Sequence, residues 1–314
     1  MNKNSTIFLA GHKGLVGSEV LKILKKKKYK NIITARRNEL DLTNSNKVEK
    51  FFNKKKIDYL IMAAAKAGGI LANSTYQKDF FFNNIEIQNN LLKLALKKKV
   101  KRTIFLGTSC IYPKFAKNPI KEEYLLTGKL EKTNQCYAIA KIAGIKLCEA
   151  LYENHNLDIV CLMPTNIYGI NDNFDKFSGH VIPAMITKFL NAKKKKLKKI
   201  KLLGTGKPIR EFLFSSDLAR AIYLSLNANK KNLANICGKK LPIMNVGSGE
   251  SVSISKLSKL IAKITGYKGR IYFDKNFPDG TIKKNLNSSR IRKLGWKPSI
   301  RLKDGISIVI DKKM

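Results

Sequence analysis

The chain has 314 residues, enough to bury a large core as one elaborate domain or two modest ones. A hydrophobic content of 44% with 9% aromatic residues argues against a disordered chain. The formal charge of +40, from 62 Lys and Arg against 22 Asp and Glu, is unusual. It raises the question of a nucleic-acid or acidic-membrane partner.

The placement of the basic residues argues against a specific nucleic-acid partner. They are mostly lysines in short runs at the ends of amphipathic segments or in connections, at residues 25–28, 54–56, 97–99 and 193–196. Arginine and aromatic side chains, which read and stack on bases, are not interleaved with these runs. We therefore expect a solvated, lysine-rich surface that attracts anionic small substrates such as nucleotide sugars.

Cysteine usage and the first residues of the chain indicate a cytoplasmic protein. The cysteines are odd in number and show no metal-ligand spacing, which argues against a disulfide framework and a metal site; they are Cys110, Cys136, Cys148, Cys161 and Cys237. The apolar run before Gly11 is too short for a signal peptide or a membrane span. We expect no membrane partner.

Short β-rich runs alternate with segments of helical periodicity in the first half of the chain, at residues 6–10, 31–35, 59–65, 102–109 and 158–166. Buried strands joined by helices form parallel sheets with right-handed crossovers. The predicted fold class is therefore α/β, a Rossmann-type doubly wound parallel sheet with helices on both faces.

The regular alternation ends near residue 166. We expect residues 1–166 to form a dinucleotide-binding domain and residues 167–314 to form mainly a smaller substrate-binding lobe, with a helix over 181–190. Two later strand-like runs, 200–203 and 243–246, are predicted to return to the main sheet, together with the wider segments around them, 200–218 and 243–274. The smaller lobe would then be discontinuous in sequence.

A glycine loop follows the first predicted strand and opens a helix. Gly11, Gly14 and Gly17 allow a tight turn and the close approach of a pyrophosphate, which would face the helix N-terminus. A glycine turn of purely structural purpose is the alternative, but the position at the first strand–helix junction favours a nucleotide. The predicted cofactor contacts of this loop are Gly11, Lys13, Gly14, Leu15, Val16 and Gly17.

The end of the second predicted strand favours NADP(H) over NAD(H). A cofactor with a free 2′-hydroxyl usually meets a carboxylate there, whereas this chain offers Arg36 and Arg37 and delays the acid to Glu39. Two guanidinium groups suit a 2′-phosphate, and Lys13 would add to that pocket. Two solvated arginines in a basic protein are the alternative.

A hydroxyl, a phenol and an amine are the candidate groups for carbonyl reduction. Thr108 follows the fourth predicted strand, and Tyr137 and Lys141 lie four apart on a helix, where they share one face. We expect Thr108 to hold a substrate carbonyl and Tyr137 to transfer its proton. Lys141 would lower the tyrosine pKa and bind the cofactor ribose. The same tyrosine–lysine spacing also occurs by chance on many helices.

Together with the glycine loop, these three residues resemble the signature of the short-chain dehydrogenase/reductase superfamily, in its extended branch that modifies nucleotide sugars. Further stretches, in order over nearly the whole chain, are similar to GDP-L-fucose synthases, at residues 63–70, 109–114, 137–147, 163–166, 172–174, 180–184, 210–213 and 278–281. The resemblance implies NADPH-dependent conversion of GDP-4-keto-6-deoxy-D-mannose to GDP-L-fucose, by inversion at C3 and C5 and reduction of the C4 ketone.

The resemblance also implies which residues act in the inversions. A ketone acidifies the neighbouring C–H bonds, so epimerisation needs a base on one face of the sugar ring and an acid on the other. Cys110 is the implied base, provided that nearby positive charge raises its thiolate fraction, and His180 is the implied acid. The alternatives are a small buried cysteine and a histidine that caps or packs a helix.

Further binding residues follow from the same resemblance. Besides the glycine loop and the arginines, the implied cofactor contacts are Leu106, Gly107, Lys141, Pro164, Asn166 and His180. The implied contacts of the GDP-sugar substrate are Asn166, Lys188, Leu203, Arg210 and Asp279. Members of the family form dimers through the helices that flank the residues corresponding to Thr108, Tyr137 and Lys141. The resemblance therefore implies a homodimer through helices near 80–96 and 134–152.

Two residues depart from the family pattern, and two other functions stay open. Thr108 stands where the family often has serine, which keeps the hydroxyl; Leu203 stands where related sequences place a tryptophan, so that a substrate-packing ring is lost. A UDP-hexose 4-epimerase would keep NAD bound and consume no reduced cofactor. A catalytically idle nucleotide-sugar or RNA-binding protein on the same scaffold is the other alternative.

Overall fold

The structure, a computed structural model, describes residues 1–175, 177–277 and 279–313 of the chain. Its strands in chain order are β1 (Ile7–Ala10), β2 (Ile32–Ile33), β3 (Tyr59–Met62), β4 (Arg102–Leu106), β5 (Ile159–Pro164), β6 (Asn166–Tyr168), β7 (Lys199–Leu203), β8 (Ile209–Phe214), β9 (Ile243–Val246), β10 (Ser251–Ser253), β11 (Arg270–Asp274) and β12 (Lys283–Lys284). Its α-helices are α1 (Leu15–Lys26), α2 (Ser45–Phe52), α3 (Ile70–Thr75), α4 (Gln77–Lys97), α5 (Gln135–His155), α6 (Val181–Lys194), α7 (Ser215–Asn227), α8 (Lys230–Cys237), α9 (Ile254–Thr265), α10 (Ser289–Lys293) and α11 (Leu302–Asp311).

A six-stranded sheet in the order β2-β1-β3-β4-β5-β9 forms the centre of the larger lobe, and every neighbouring pair in it is parallel. Strands such as β1 and β5 are apolar runs with every residue buried. Such strands need cover on both faces. The predicted doubly wound α/β fold is confirmed.

Each face of this sheet has its own apolar core. On one face, α2, α4 and α5 contribute to a core that includes Phe105, Leu91 and Ile145. On the other, α1 and α7 contribute to a core that includes Val20 and Ile222. No helix within the described ranges is long and apolar enough to cross a bilayer.

A third core belongs to the smaller lobe. It joins α6, α9 and α11 to β7 and β8 through side chains that include Phe189, Ile261, Ile306 and Phe212. Strand β8 pairs antiparallel with β10 and parallel with β12 and β6. Because β6 follows β5 after a single residue, the two lobes meet at the carboxyl end of β5.

The later strands divide between the two lobes. Strand β9 pairs with β5 in the large sheet, whereas β7 pairs, within the part of the chain that the structure describes, only with β11 in a separate two-stranded sheet. The prediction that 200–203 rejoins the main sheet is therefore wrong. Residues of β7 alternate between exposed and buried, as in a strand with one solvated face, while strands of the main sheet are buried on both.

The buried carboxylate of Glu211 ties the segments around the cleft together. Its side chain is fully buried, and it accepts hydrogen bonds from the backbone N–H groups of Gly249 at 2.6 Å and Leu286 at 2.8 Å. Its carbonyl accepts from the side chains of Thr165 and Asn166. Strand β8 is thereby fixed against the ends of β5 and β9 and against the segment that follows β12.

Candidate active site

The carboxyl ends of β1, β4 and β5 lie at one edge of the large sheet. Gly11 follows β1, Gly107 follows β4, and Asn166 opens β6 directly beyond β5. This is the edge at which open parallel sheets bind ligands.

The glycine loop is built so that a side chain would not fit. Gly11 has a φ of +82°, and a Cβ there would lie 2.7 Å from the Ala63 carbonyl carbon and oxygen, while a Cβ at Gly17 would lie 2.1 Å from the carbonyl oxygen of Gly11. Gly14 caps α1 without any side-chain hydrogen bond, and the first turn contains no acid. The first N–H groups of α1 are left for an anion, which fits a cofactor pyrophosphate.

Cationic side chains surround His12 beside this loop. Burial lowers the pKa of His12, the charges of Lys13 and Arg36 lower it further, and Glu39 opposes them. The Nε of Arg36 lies 3.8 Å from Glu39 Oε1, and both Arg36 and Arg37 are exposed. Because Lys13 and Arg36 act on one imidazole, the glycine loop and the end of β2 form one basic patch.

Lys141 lies under the end of β4. Its side chain is 5% exposed, and its Nζ donates to the carbonyl of Leu106 at 3.0 Å and lies 5.2 Å from the centre of the Phe105 ring. Burial lowers the pKa of Lys141 to about 8. Gly107, which directly follows Leu106, packs so closely against β5 that a Cβ there would lie 2.2 Å from Met163 Sδ.

Thr108 and Tyr137 share a hydrogen bond in this cleft. Thr108 Oγ1 also accepts from the backbone N–H of Cys110 at 3.2 Å, which caps the 3₁₀ turn Ser109–Ile111. Tyr137 lies in the first turn of α5, and its ring packs edge-on against Phe80 at 6.2 Å. The structure thus brings together the hydroxyl and the phenol that the sequence singles out.

The pKa of Tyr137 shifts in the direction opposite to our expectation. Burial and the charge of Cys110 raise it, and the hydrogen bond with Thr108 opposes them. The Lys141 amine points to the carbonyl of Leu106. Lys141 is not among the groups that shift the tyrosine pKa here, so the expected lowering is absent and burial decides the direction.

We expect Lys141→Met to stabilise the cofactor-free protein at pH 7 although it removes a predicted catalytic group. Lowering the pKa of Lys141 from 10.5 to about 8 corresponds to about 3 kcal/mol of destabilisation while the folded amine is protonated. Less about 1 kcal/mol for the lost hydrogen bond to Leu106, the variant should gain about 1 to 2 kcal/mol in free energy of unfolding.

The gain should shrink as the pH rises from about 8 towards 10.5, because the folded amine then loses its proton while the unfolded one keeps it. Urea unfolding at pH 7 and at about pH 10 measures this, with the exposed Lys146→Met on the same helix as control. A variant that is less stable than the wild type at pH 7 would contradict the expectation.

Cys110 lies against polar groups from two distant segments. Its sulfur accepts from Asn134 Nδ2 at 3.3 Å and lies 3.8 Å from Lys284 Nζ. Arg210 is close enough to interact with Cys110. Burial lowers the pKa of the Arg210 guanidinium, and the charges of Cys110 and Asp279 oppose that shift. The thiol therefore lies in a positively charged environment.

His180 stands at the N-terminus of α6 with an acidic partner. Its Nδ1 lies 3.5 Å from Asp172 Oδ1, and the carboxylate is 3% exposed against 40% for the imidazole. The loop before α6 contacts the segment before α3, where Gly69 N–H donates to the carbonyl of Ser178 at 2.9 Å. A Cβ at Gly68 would lie 3.1 Å from that carbonyl and 3.2 Å from the Phe80 ring, which contacts Tyr137.

Both carboxylate oxygens of Asp279 accept hydrogen bonds from a neighbouring turn of the chain. Its Oδ1 accepts from the backbone N–H of Thr205 at 2.7 Å, and its Oδ2 accepts from the Thr205 hydroxyl at 2.6 Å. Its carbonyl accepts from Arg210 at 3.4 Å. Asp279 thus orders the turn after β7 and holds Arg210; its contact with the substrate stays a prediction.

The other predicted substrate residues lie on both sides of the lobe junction. Asn166 donates to the carbonyl of Glu211 at 2.9 Å, and Pro164 ends β5. Lys188 on α6 donates to the carbonyl of Lys201 at 2.6 Å, and Leu203 ends β7 with 41% of its surface exposed. Leu203 and Lys188 therefore belong to the rim formed by the smaller lobe.

Sequence reasoning did not single out the polar neighbours of the predicted base and acid. Asn134 lies three residues before Tyr137, so its nearness to the strand end was readable from the helix start. Asp172 lies within a stretch that resembles the family. Lys284 carries no local signal, because only the long-range pairing of β12 with β8 brings it to Cys110.

A Rossmann sheet with a glycine cradle, a threonine–tyrosine pair and a buried lysine at one edge defines a dinucleotide-dependent enzyme. The chain belongs to the NAD dependent epimerase/dehydratase family, whose profile matches residues 7–247, and within it to the GDP-L-fucose synthases.

The similarity to individual proteins extends over nearly the whole chain. A putative GDP-L-fucose synthase 2 of Arabidopsis thaliana is 45% identical, over 98% of this chain and 91% of the relative. A GDP-L-fucose synthase of Escherichia coli is 43% identical, over 96% and 94%. A solved GDP-mannoheptose C4 reductase from Campylobacter jejuni, with NADP bound, matches with a TM-score of 0.87 and 34% identity over 99% and 98%.

Proposed function

We propose that this chain converts GDP-4-keto-6-deoxy-D-mannose to GDP-L-fucose, using NADPH to reduce C4 after inversion at C3 and C5. The observation that carries the proposal is the placement of Cys110 in the same strand-end turn as Thr108, next to Tyr137. The groups for the reduction and the proposed base for the inversions thus share one cleft. The full-length similarity to GDP-L-fucose synthases supports the substrate.

The chain has groups suited to the pyrophosphate and the 2′-phosphate of an NADP molecule. The cradle of Gly11, Gly14 and Gly17 and the open N-terminus of α1 would hold the pyrophosphate, and Arg36, with its neighbours Lys13 and Arg37, would hold the 2′-phosphate. When bound as NADPH, the cofactor supplies the hydride for C4. The NADP-bound relative supports this choice.

In the reduction, Tyr137 gives its proton to the oxygen at C4 while Thr108 hydrogen-bonds the same oxygen. The raised pKa of Tyr137 keeps the phenol protonated before hydride transfer, so it serves as the acid. Lys141, fixed under the strand end by its hydrogen bond to Leu106, would bind the cofactor ribose. The proton leaves Tyr137 only as the alkoxide develops.

In each inversion, a base takes a proton beside the ketone and an acid returns one on the other face. We assign Cys110 as the base and His180 as the acid, with Asp172 orienting the imidazole. The electron pair of the broken C–H bond moves to the ketone oxygen, where Thr108 and Tyr137 donate hydrogen bonds. The same two groups therefore serve the enolate and, later, the alkoxide.

The GDP part of the substrate is assigned to the rim between the lobes. Arg210 and Lys188 would neutralise phosphate charge, and Asn166 and Leu203 would contact the sugar and base side of the ligand. In this assignment the larger lobe, 1–166 with β9 and α7, binds the cofactor. The smaller lobe, mainly from 167 onward, binds the nucleotide sugar.

We also propose a homodimer in the cytoplasm. The two helices that flank the catalytic groups expose apolar side chains, including Phe82 at 54% on α4 and Ile139 at 39% on α5, and these would be covered by a second copy. All five cysteines are unpaired thiols, as expected in a reducing compartment.

Replacing Arg36 and Arg37 together by alanine is expected to weaken NADPH binding about 10- to 100-fold and to leave NADH binding within about twofold, because only NADPH carries the 2′-phosphate. Fluorescence titration with both cofactors measures the two affinities. A double replacement of Arg270 and Arg301, two exposed arginines of the smaller lobe, is the charge-matched control. Equal loss of NADH affinity would contradict the assignment.

The proposed function is tested by offering the protein NADPH with the GDP-keto sugar and, separately, NAD with UDP-glucose. We expect loss of nicotinamide absorbance and appearance of GDP-L-fucose in the first mixture, and no conversion in the second. A product with unchanged C3 and C5 would instead show a simple C4 reductase, as the solved relative is named. UDP-galactose in the second mixture would show a 4-epimerase.

A further inference from the structure

Three segments that are far apart in sequence meet at the sulfur of Cys110. Asn134, directly before α5, donates its amide to Sγ at 3.3 Å. Lys284, on β12, places its Nζ 3.8 Å from Sγ. Arg210, on β8, acts on the same thiol from the neighbouring strand.

The pairing of β12 with β8 is what brings the two cations together. The strands run parallel, with Lys284 in register with Arg210. Lys284 is half-buried, whereas the preceding Lys283 is exposed, as expected where successive side chains point to opposite faces. Of the two lysines in this short strand, only Lys284 faces the cleft.

The remaining titratable groups around the thiol leave the field positive. Tyr137 faces Cys110 from α5 and is neutral, since burial raises its pKa. Glu131, which acts on Arg210, precedes α5 and pairs with Lys114 at 3.0 Å. Asp279 lies beyond Arg210, and both of its carboxylate oxygens accept hydrogen bonds from Thr205. Lys284 is therefore a cation near the sulfur whose charge the described acids do not balance.

We infer that Lys284 is the group that makes Cys110 a base, by stabilising its thiolate, with Asn134 as a neutral second donor. This inference rests on the proposed function and names a positioning residue for its first half-reaction. In the step, the C–H bond beside the ketone breaks, the thiolate gains the proton as S–H, and the electron pair passes to the ketone oxygen. Lys284 keeps its own proton throughout.

The geometry separates this role from phosphate binding. A lysine that binds the diphosphate needs a free path to the rim, whereas Lys284 is half-buried, with its amine on the sulfur. Asn134 approaches the same atom and carries no charge for a phosphate. A cation and a hydrogen-bond donor beside one sulfur both favour the thiolate.

Alkylation of Cys110 by iodoacetamide reads the thiolate directly, without substrate. Mass spectrometry of the Cys110 peptide separates it from the half-buried Cys136 and Cys237. We expect Lys284→Met to slow alkylation at pH 7 about tenfold. Lys284→Arg should restore most of the rate, and Lys283→Met, with the same loss of charge on the other side of the strand, should change nothing.

A second readout joins the thiol to the chemistry. Deuterium uptake at C3 and C5 of the GDP-keto sugar in heavy water, without NADPH, should fall in Lys284→Met by a factor similar to that for alkylation. Asn134→Ala should lower both rates by a smaller factor. NADPH affinity and the thermal midpoint, close to wild type, would show that the fold and the cofactor site persist.

Normal alkylation with slow deuterium uptake in Lys284→Met would overturn the inference, since it would place Lys284 on the substrate. Equal effects of Lys283→Met and Lys284→Met would also overturn it, because a surface potential would then suffice. Failure of the wild type to exchange deuterium would instead refute the proposed function; the alkylation profile would still decide whether Lys284 stabilises the thiolate.

Discussion

Tyr137→Phe is expected to abolish reduction while leaving the inversions in place. The phenol is the only group assigned to protonate the C4 oxygen, and phenylalanine keeps the ring packed against Phe80. Loss of a positioned acid slows such steps by about a thousandfold or more, roughly 4 kcal/mol in the barrier. The enolate would keep its hydrogen bond from Thr108, so deuterium exchange at C3 and C5 should fall by only about tenfold.

Two assays on one preparation separate these effects. NADPH oxidation with the GDP-keto sugar follows reduction, and NMR in heavy water follows exchange. Tyr152→Phe, on the same helix, is the matched control and should retain both activities. If Tyr137→Phe lost exchange as completely as reduction, the phenol would be as essential to the inversions as to the reduction, and its assignment as a supporting donor to the enolate would be wrong.

Cys110→Ser is expected to stop the inversions and expose a simpler reductase. An alcohol is a far weaker base than a thiolate near neutral pH, so exchange at C3 and C5 should slow by about a thousandfold. Thr108, Tyr137 and Lys141 are untouched, so NADPH should still be consumed slowly. The product should then be a GDP-6-deoxyhexose with C3 and C5 as in the substrate.

Product NMR distinguishes the stereochemical outcomes. Cys136→Ser is the matched control, because Cys136 is a half-buried thiol at the start of α5 that contacts Gln77. It should yield GDP-L-fucose at a rate close to wild type. GDP-L-fucose from Cys110→Ser at an undiminished rate would show that another residue is the base.

The main sheet and its ligand edge could be predicted from the sequence because their signals are local. Continuous apolar runs indicated strands buried on both faces, and a glycine loop after β1 indicated a tight turn into α1. The Lys-Ile-Lys alternation of β7 correctly predicts a strand, but the prediction that this strand joins the main sheet is wrong. That alternation also signals one solvated face, which the main sheet does not offer.

The electrostatics of the site could not be predicted from spacing. The four-residue step from Tyr137 to Lys141 suggested a lowered tyrosine pKa, but burial and the orientation of the amine towards Leu106 decide the direction. The positive charge needed at Cys110 was expected, whereas its source, Lys284, depends on a strand pairing across the molecule. The contacts of Asp279 with Thr205 could likewise not be predicted, because the two residues are 74 positions apart in the chain.

The central claim is that one cleft performs both proton exchange and hydride transfer on the same sugar. The most direct test is NMR of the product formed in heavy water from the GDP-keto sugar and NADPH deuterated at nicotinamide C4. We predict GDP-L-fucose with deuterium at C3, C4 and C5, the label at C4 coming from the cofactor. A product labelled at C4 alone, with C3 and C5 unchanged, would contradict the account.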